Sequence, residues 1–235
     1  MAYKPWVAKY QVQMLAEGPL PDFLERKEMM EIIHKKLELG GYIRTGFECY
    51  SLSDSPMTKA FNEGEAHYGA SGHQPGGRVN FIAVGSSSMS NLGNDYYVQN
   101  FYDLASYKKA LDQNLLPSFR GLRLNEDDKI RQHATQQIRS YFKIDYKNFS
   151  DQFGINAKEY FKNEIKYLDE MQKDSLVEIT DKGIFLTEIG RDFTQNIMNV
   201  FDKYDPPTKS YKERLETVKQ AKESQANVQE KINNI

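Results

Sequence analysis

The chain has 235 residues, 39% hydrophobic and 27% charged, enough to bury a sizeable core in one large domain or two small ones. Lys plus Arg number 31 against 33 Asp plus Glu, a net charge of −2, so the overall balance draws the protein to neither nucleic acid nor anionic lipid. No apolar run approaches a membrane span, the first residues lack the apolar core of a signal peptide, and the expected compartment is the cytoplasm.

Residues 2–18 make a poor start for a domain: Pro5, Trp6 and Val7 are apolar with no element before them to pack on, so the stretch reads as following something else. Pro21 and Asp22 open a helix with Met29, Ile33 and Leu37 spaced by four, and Gly40-Gly41 stops it. Residues 42–52, rich in aromatic and β-branched types, read as one strand. Helix, glycine stop and strand together have the rhythm of a βα unit. Asp54-Ser55-Pro56 reads as a turn, 57–62 as a short helix and 68–77 as a glycine-rich loop.

The central stretch is 79–93, VNFIAVGSSSMSNLG. Six apolar-leaning residues of strand length lead through Gly85 into a turn of Ser86, Ser87, Ser88 and Ser90 that closes on Gly93. A small-residue loop at the end of a buried strand can offer backbone N–H groups to a ligand. A strand end also needs compact residues simply to turn, and the pattern alone favours that second reading.

From Asn100 onward the pattern is helical. Asp103 can cap a helix through Leu111, Asn125 one over 127–142 with a stripe of Ile130, Ala134, Ile138 and Phe142, and Asn156 one with Phe161, Ile165 and Leu168 inward. Residues 176–180 and 184–187, joined by Asp181-Lys182-Gly183, read as a hairpin. Thr187 is expected to cap a last helix that Pro206-Pro207 stops. This order is a winged-helix pattern, and the Lys/Glu/Gln-rich remainder reads as a solvent-exposed tail.

The chemistry is sparse. Cys49, the single cysteine, excludes an internal disulfide and any metal site needing several thiolates from this chain; next to Tyr50 it reads as a packed thiol. His67 and His73 lie close together but read as loop residues, and no metal-ligating residue is assigned. No Ser/His/Asp or Cys/His arrangement appears, so no catalytic residue is assigned. Asp127-Asp128 sit at a helix start, where carboxylates suit the dipole. The would-be recognition helix, 157–171, has Lys158, Lys162 and Lys166 outnumbered by Glu159, Glu164, Asp169 and Glu170, which argues against reading bases.

Residues 176–202, LVEITDKGIFLTEIGRDFTQNIMNVFD, resemble the C-terminal signature of the oxygen-independent coproporphyrinogen III oxidases, "G-L-V-x-V … G-I-x-L-T-x-x-G-R … R-N-I … F-D". Ser175 stands at the first glycine and Gln195 at the arginine, while Thr187, Gly190, Arg191, Asn196, Ile197, Phe201 and Asp202 agree. Upstream, Arg120-Gly121, Leu124, Asp127-Asp128, Ile130-Arg131 and Asp145-Tyr146 continue the resemblance. Gly85, Ser87, Ser90 and Gly93 are similar to "G-V-S-A-I-S-x-x-G", Gly41-Tyr42 and Gly46 to "G-Y-x-x-I-G", and Glu63-Gly64 and Gly72 fall in register. Ala2 and Pro5 sit where the family has "A-H-L-P".

The resemblance implies an α+β chain, an α/β fragment in which partial radical S-adenosylmethionine (SAM) barrel βα units over 1–99 precede a mostly helical, winged-helix-like C-terminal domain over 100–206 and a polar tail over 207–235. It implies the C-terminal half of an oxidoreductase of haem biosynthesis that decarboxylates coproporphyrinogen III to protoporphyrinogen IX. The Cys-x-x-x-Cys-x-x-Cys loop for the 4Fe–4S cluster would lie in the absent N-terminal barrel half, so this chain would be inactive alone. The implied partners are the tetrapyrrole substrate and a separate cluster-bearing half, with no nucleic acid and no membrane. The implied SAM contacts are Ala2 and Met89, both apolar. Tyr3 replaces the family histidine, Cys49, Tyr50 and Leu52 replace "H-F-A-R/K", and Ala70-Ser71 replaces "F-Q". These departures favour the alternative, a non-catalytic tetrapyrrole-binding or interaction module.

Overall fold

The structure, a computed structural model, describes residues 20–69, 72–76, 80–93 and 95–204. Ala2, Trp6, Val7, Ala70-Ser71, Pro206-Pro207 and the tail over 207–235 lie outside the described residues. The chain divides into two compact units, residues 1–40 with 207–235, and residues 41–206.

In the first unit, α1 (Phe23–Leu39) starts where Pro21 and Asp22 predict. Asp22 Oδ1 accepts from the Glu25 amide at 2.9 Å and Glu25 Oε2 from the Asp22 amide at 2.8 Å, a reciprocal cap. Met29 and Ile33 of its apolar stripe stay about half exposed.

The second unit begins with a hairpin where one strand is expected. Residues 42–52 form two strands, β1 (Tyr42–Arg44) and β2 (Tyr50–Leu52), paired antiparallel. Gly46 at φ +132° and Glu48 at φ +56° reverse the backbone between them. Then α2 (Pro56–Glu63) follows its Ser55 cap. β3 (Ala66–Gly69) and β4 (Gly72–Pro75) pair as a hairpin where a loop is expected.

β5 (Asn80–Phe81), β6 (Met89–Leu92), β7 (Tyr96–Asn100) and, after α3 (Leu104–Asp112), β8 (Ser118–Arg123) form an antiparallel sheet in the order β5-β6-β7-β8. The strand expected at 79–84 is thus two paired residues among those described. The Ala83 amide leaves the ladder for Ser90 Oγ at 3.1 Å, and Ile82 and Val84 are 77% and 87% exposed. Among the described residues every strand pairing is antiparallel, and helices and strands mix without a closed barrel.

From Leu124 the chain packs its core. Asn125 caps α4 (Glu126–Tyr141) reciprocally with Asp128, and Ile130, Ala134, Ile138 and Phe142 form the buried stripe. β9 (Lys143–Asp145), α5 (Tyr146–Phe153), α6 (Ala157–Tyr160), α7 (Lys162–Lys173), β10 (Val177–Ile179) and β11 (Gly183–Leu186) follow, with strands ordered β10-β11-β9. The single helix expected over 157–171 breaks at Phe161, whose ring is fully buried edge-on to Phe149 and Phe201 at 5.6 and 5.2 Å. Each such ring contributes about 1.5–3 kcal/mol by leaving water.

The last elements are a 3-10 turn (Gly190–Phe193) and α8 (Thr194–Asn199). Thr187 Oγ1 accepts from the Gly190 amide at 2.9 Å and donates to the Ser175 carbonyl at 2.7 Å, so it caps the turn and ties it to the end of α7. A Cβ at Gly190 would meet the Leu176 carbonyl oxygen at 1.8 Å, which is why glycine stands there.

Candidate functional site

Several donors of the serine-rich turn are spent within the fold. Gly85 N–H donates to Tyr107 OH (3.0 Å), Ser87 N–H to the Phe101 carbonyl (2.9 Å) and Ser88 Oγ to the Gly85 carbonyl (2.7 Å). Buried Asn100 clamps the turn, donating from Nδ2 to the Gly85 carbonyl and Ser88 Oγ at 3.1 and 3.0 Å. These bonds agree with the reading of compact residues that turn the chain, since N–H groups spent internally are not offered to a ligand. Met89 opens β6 opposite Gln99 and is 41% exposed.

Around Cys49, Thr45, Ser51 and Thr58 are buried and linked by hydroxyl bonds, with Ser51 Oγ and Thr58 Oγ1 2.7 Å apart. Thr45 Oγ1 donates toward Cys49 Sγ at 3.5 Å. The thiol is half-buried and packed, as read. On the adjoining hairpin, Tyr68 faces His73 and His67 faces Gln74, which places the two histidines on opposite faces of the ribbon. The His73 ring stands edge-on to Tyr68 at 5.0 Å, and the Arg139 guanidinium lies 3.7 Å over the Tyr68 ring. Burial, then the Arg139 charge, pull the His73 imidazole down to about 4. A Cβ at Gly46 would lie 2.5 Å from His73 Nε2. His133 is likewise lowered by burial and bonds Asn148 Oδ1 at 2.6 Å.

A cleft of about 310 Å³ lies between α4, α8 and β7, lined among others by Tyr97, Gln132, Gln195, Met198 and Asn199. At its rim Lys203 Nζ meets Asp127 Oδ2 at 2.8 Å and Asp128 Oδ1 at 2.6 Å. Asp127 also accepts from Arg131 Nε at 2.9 Å and from Tyr160 OH, while Arg131 Nη1 reaches Glu164 at 2.8 Å. Burial opposes ionisation of Asp127, but Lys203, Tyr160 and Arg131 hold its carboxyl below the ordinary 3.8. Burial, then Asp127, push the Tyr160 hydroxyl up to about 12. Reading both aspartates as dipole partners captures Asp128, which caps α4. It misses Asp127, whose partners come from 33 residues or more away except for Arg131. The knot binds its charges to one another, and its Asp128, Arg131 and Lys203 line the cleft together with amides, tyrosines and apolar side chains.

Among the described residues no group of three or more His, Cys, Asp or Glu is placed to hold a metal. No described helix is long and apolar enough to cross a membrane. Ala2, the other expected contact residue, lies outside the described residues.

Residues 124–193 match the HemN C-terminal domain. The chain is 30% identical over 203 residues to the oxygen-independent coproporphyrinogen III oxidase of Helicobacter pylori strain 26695, covering 86% of this chain and 44% of that protein. With the Pseudomonas aeruginosa enzyme of the same name it shares 30% over 187 residues, 80% of this chain and 40% of that protein. Among solved structures it is similar to the Escherichia coli coproporphyrinogen III oxidase HemN, described as a radical SAM enzyme, with a TM-score of 0.79 and 28% identity over 86% of this chain and 46% of that one. The chain therefore spans less than half the length of the relatives it matches. Residues 124–193 match the HemN C-terminal domain, within a chain similar to part of the oxygen-independent coproporphyrinogen III oxidases.

Proposed function

We propose that this chain is the C-terminal portion of an oxygen-independent coproporphyrinogen III oxidase-like protein and is not catalytic by itself. The observation that carries the reading is the match along 86% of the chain, in sequence and in fold, to less than half of those enzymes. On this reading 1–99 is the C-terminal part of a radical SAM barrel, 100–206 a winged-helix-like domain and 207–235 a polar tail. The element order α4, β9, α5, α6–α7, β10, β11 supports the winged-helix part, and the order of matched motifs supports the barrel part. Lys158 and Lys162 of α6–α7 are paired with Asp181 and Glu159, each at 2.8 Å, which supports a role without nucleic acid.

The complete enzyme would use SAM and a 4Fe–4S cluster to decarboxylate the propionates of coproporphyrinogen III. The residues of this chain do not fit the cluster, because Cys49 is the single thiol, half-buried and bonded to Thr45. They do fit a lesser role toward SAM. Met89 is exposed, apolar and adaptable, suited to packing against a bound nucleoside, with Ala2 as its companion. The cluster would then come from a separate N-terminal half, in the cytoplasm.

The test is anaerobic affinity purification of the chain from its own cells, with mass spectrometry and iron and sulfide analysis. A Cys-x-x-x-Cys-x-x-Cys protein co-purifying with iron and sulfide is the expected result. Recovery alone and iron-free would overturn the enzyme reading. The departures at Tyr3, Cys49 and Ala70-Ser71 favour a second reading, a non-catalytic tetrapyrrole-binding module, which predicts that the iron-free chain still binds porphyrin.

A further inference from the structure

Phe142, 5% exposed at the end of α4, has two cations stacked on it. The guanidinium carbons of Arg44, from β1, and Arg191, from the 3-10 turn, each lie 5.0 Å from its ring centroid, hence no more than twice that distance from each other. Residues 147 positions apart in sequence converge on one ring, and both Nε atoms are buried without a hydrogen-bond partner. Arg44 has no carboxylate within ion-pair range among the described residues, and its terminal nitrogens are not among the buried atoms, so they face solvent. Among the described residues the ion-pair partner of Arg191 is Glu188, through Nη1 at 2.9 Å, and the Glu188 side chain is 76% exposed, a weak surface pair. Two under-neutralised guanidiniums gathered around one ring repel one another, and their contact with the ring offsets only part of that. An oxyanion accepting from both relieves the repulsion and uses the planar fork that arginine presents to carboxylate and phosphate.

We propose that Arg44 and Arg191, held by Phe142, form a clamp for an oxyanion group of a ligand, a carboxylate or a phosphate. If the proposed function holds, the carboxylate is a propionate of the tetrapyrrole, and in that respect the clamp rests on that reading. The full-length chain is titrated with coproporphyrin III, with its tetramethyl ester and with inorganic phosphate, comparing Arg44→Gln, Arg44→Lys and Arg191→Gln with the surface control Arg120→Gln. Unfolding curves verify that each variant folds; Arg44, on a short hairpin, keeps the test open should Arg191→Gln fail to fold.

A tenfold or greater loss of coproporphyrin III affinity in Arg44→Gln, partly recovered in Arg44→Lys and absent for the ester and for Arg120→Gln, supports the clamp with a carboxylate ligand. Phosphate binding that needs Arg44, with no porphyrin binding, supports the clamp and removes support from the tetrapyrrole reading. Affinities for both acids that are unchanged in Arg44→Gln, or equally changed in Arg120→Gln, overturn the clamp, while any porphyrin affinity that persists still speaks for the reading. Binding of neither acid to the unaltered chain overturns the clamp as well.

Discussion

At His73 the fold holds an imidazole neutral between Tyr68, Gly46 and the charge of Arg139, and this couples stability to pH. Its ordinary value of 6.5 applies to the unfolded chain, and burial and Arg139 lower the folded value to about 4. The unfolded state therefore takes up a proton first as the pH falls. The stabilisation is full above 6.5, declines as the pH drops from 6.5 toward 4, and is gone below that. His73→Gln is expected to flatten the dependence of the urea midpoint on pH across that window relative to the unaltered chain. Parallel slopes in the two proteins would show that His73 is not the group responsible. His67 and His133 are lowered too and add to the slope in both proteins, so the difference between them isolates His73. None of this was legible as chemistry in the sequence. The glycine-rich run around His67 and His73 gives no sign that Arg139, 66 positions on from His73, will stack over Tyr68.

Among the elements, those set by local pattern were readable and those set by backbone reversal were not. The stripe of α4 and its Asn125 cap, the cap of α3 at Asp103 and the start of α1 all depend on residues within one or two turns. The hairpin at 42–52 keeps a strand-like composition through its turn; only Gly46 marked the reversal, and a single glycine in a strand pattern is ambiguous. The break at Phe161 follows from burial of its ring among Phe149 and Phe201, a tertiary demand that helix-capping residues do not announce. Gly190 is where two elements meet most closely. Gly190→Ala forces the 3-10 turn away from the Leu176 carbonyl and loosens the Thr187 cap. The expected cost is about 1–3 kcal/mol, read as a lower urea midpoint with an unchanged slope. A midpoint equal to the unaltered one would mean the turn has slack that its geometry does not show.

For the molecule as a whole, the sequence carried the resemblance to the coproporphyrinogen III oxidases and the helical second half, while the sheet arrangement of the first half escaped it. Alternation and length cannot say which strands pair, or in which direction. Ile82 and Val84 are apolar by type yet lie open beside the serine-rich turn. Ile82→Ser and Val84→Ser are expected to leave the stability of the isolated chain within about 0.5 kcal/mol, as exposed positions do. On the proposed function the same variants weaken co-purification of the cluster-bearing half. A large fall in the midpoint of the isolated chain would instead place both side chains inside its own core.

β8 is the outer strand of its sheet among the described residues, and all six of its residues are exposed. An open strand edge is a template on which another copy of the same strand can be laid. Arg120 and Arg123 put two like charges on that short edge, and Arg120 is anchored to Gln99 Oε1 at 2.8 Å. A second copy approaching edge to edge would bring arginine against arginine, so the charges that decorate this strand also guard the chain against stacking into fibrils.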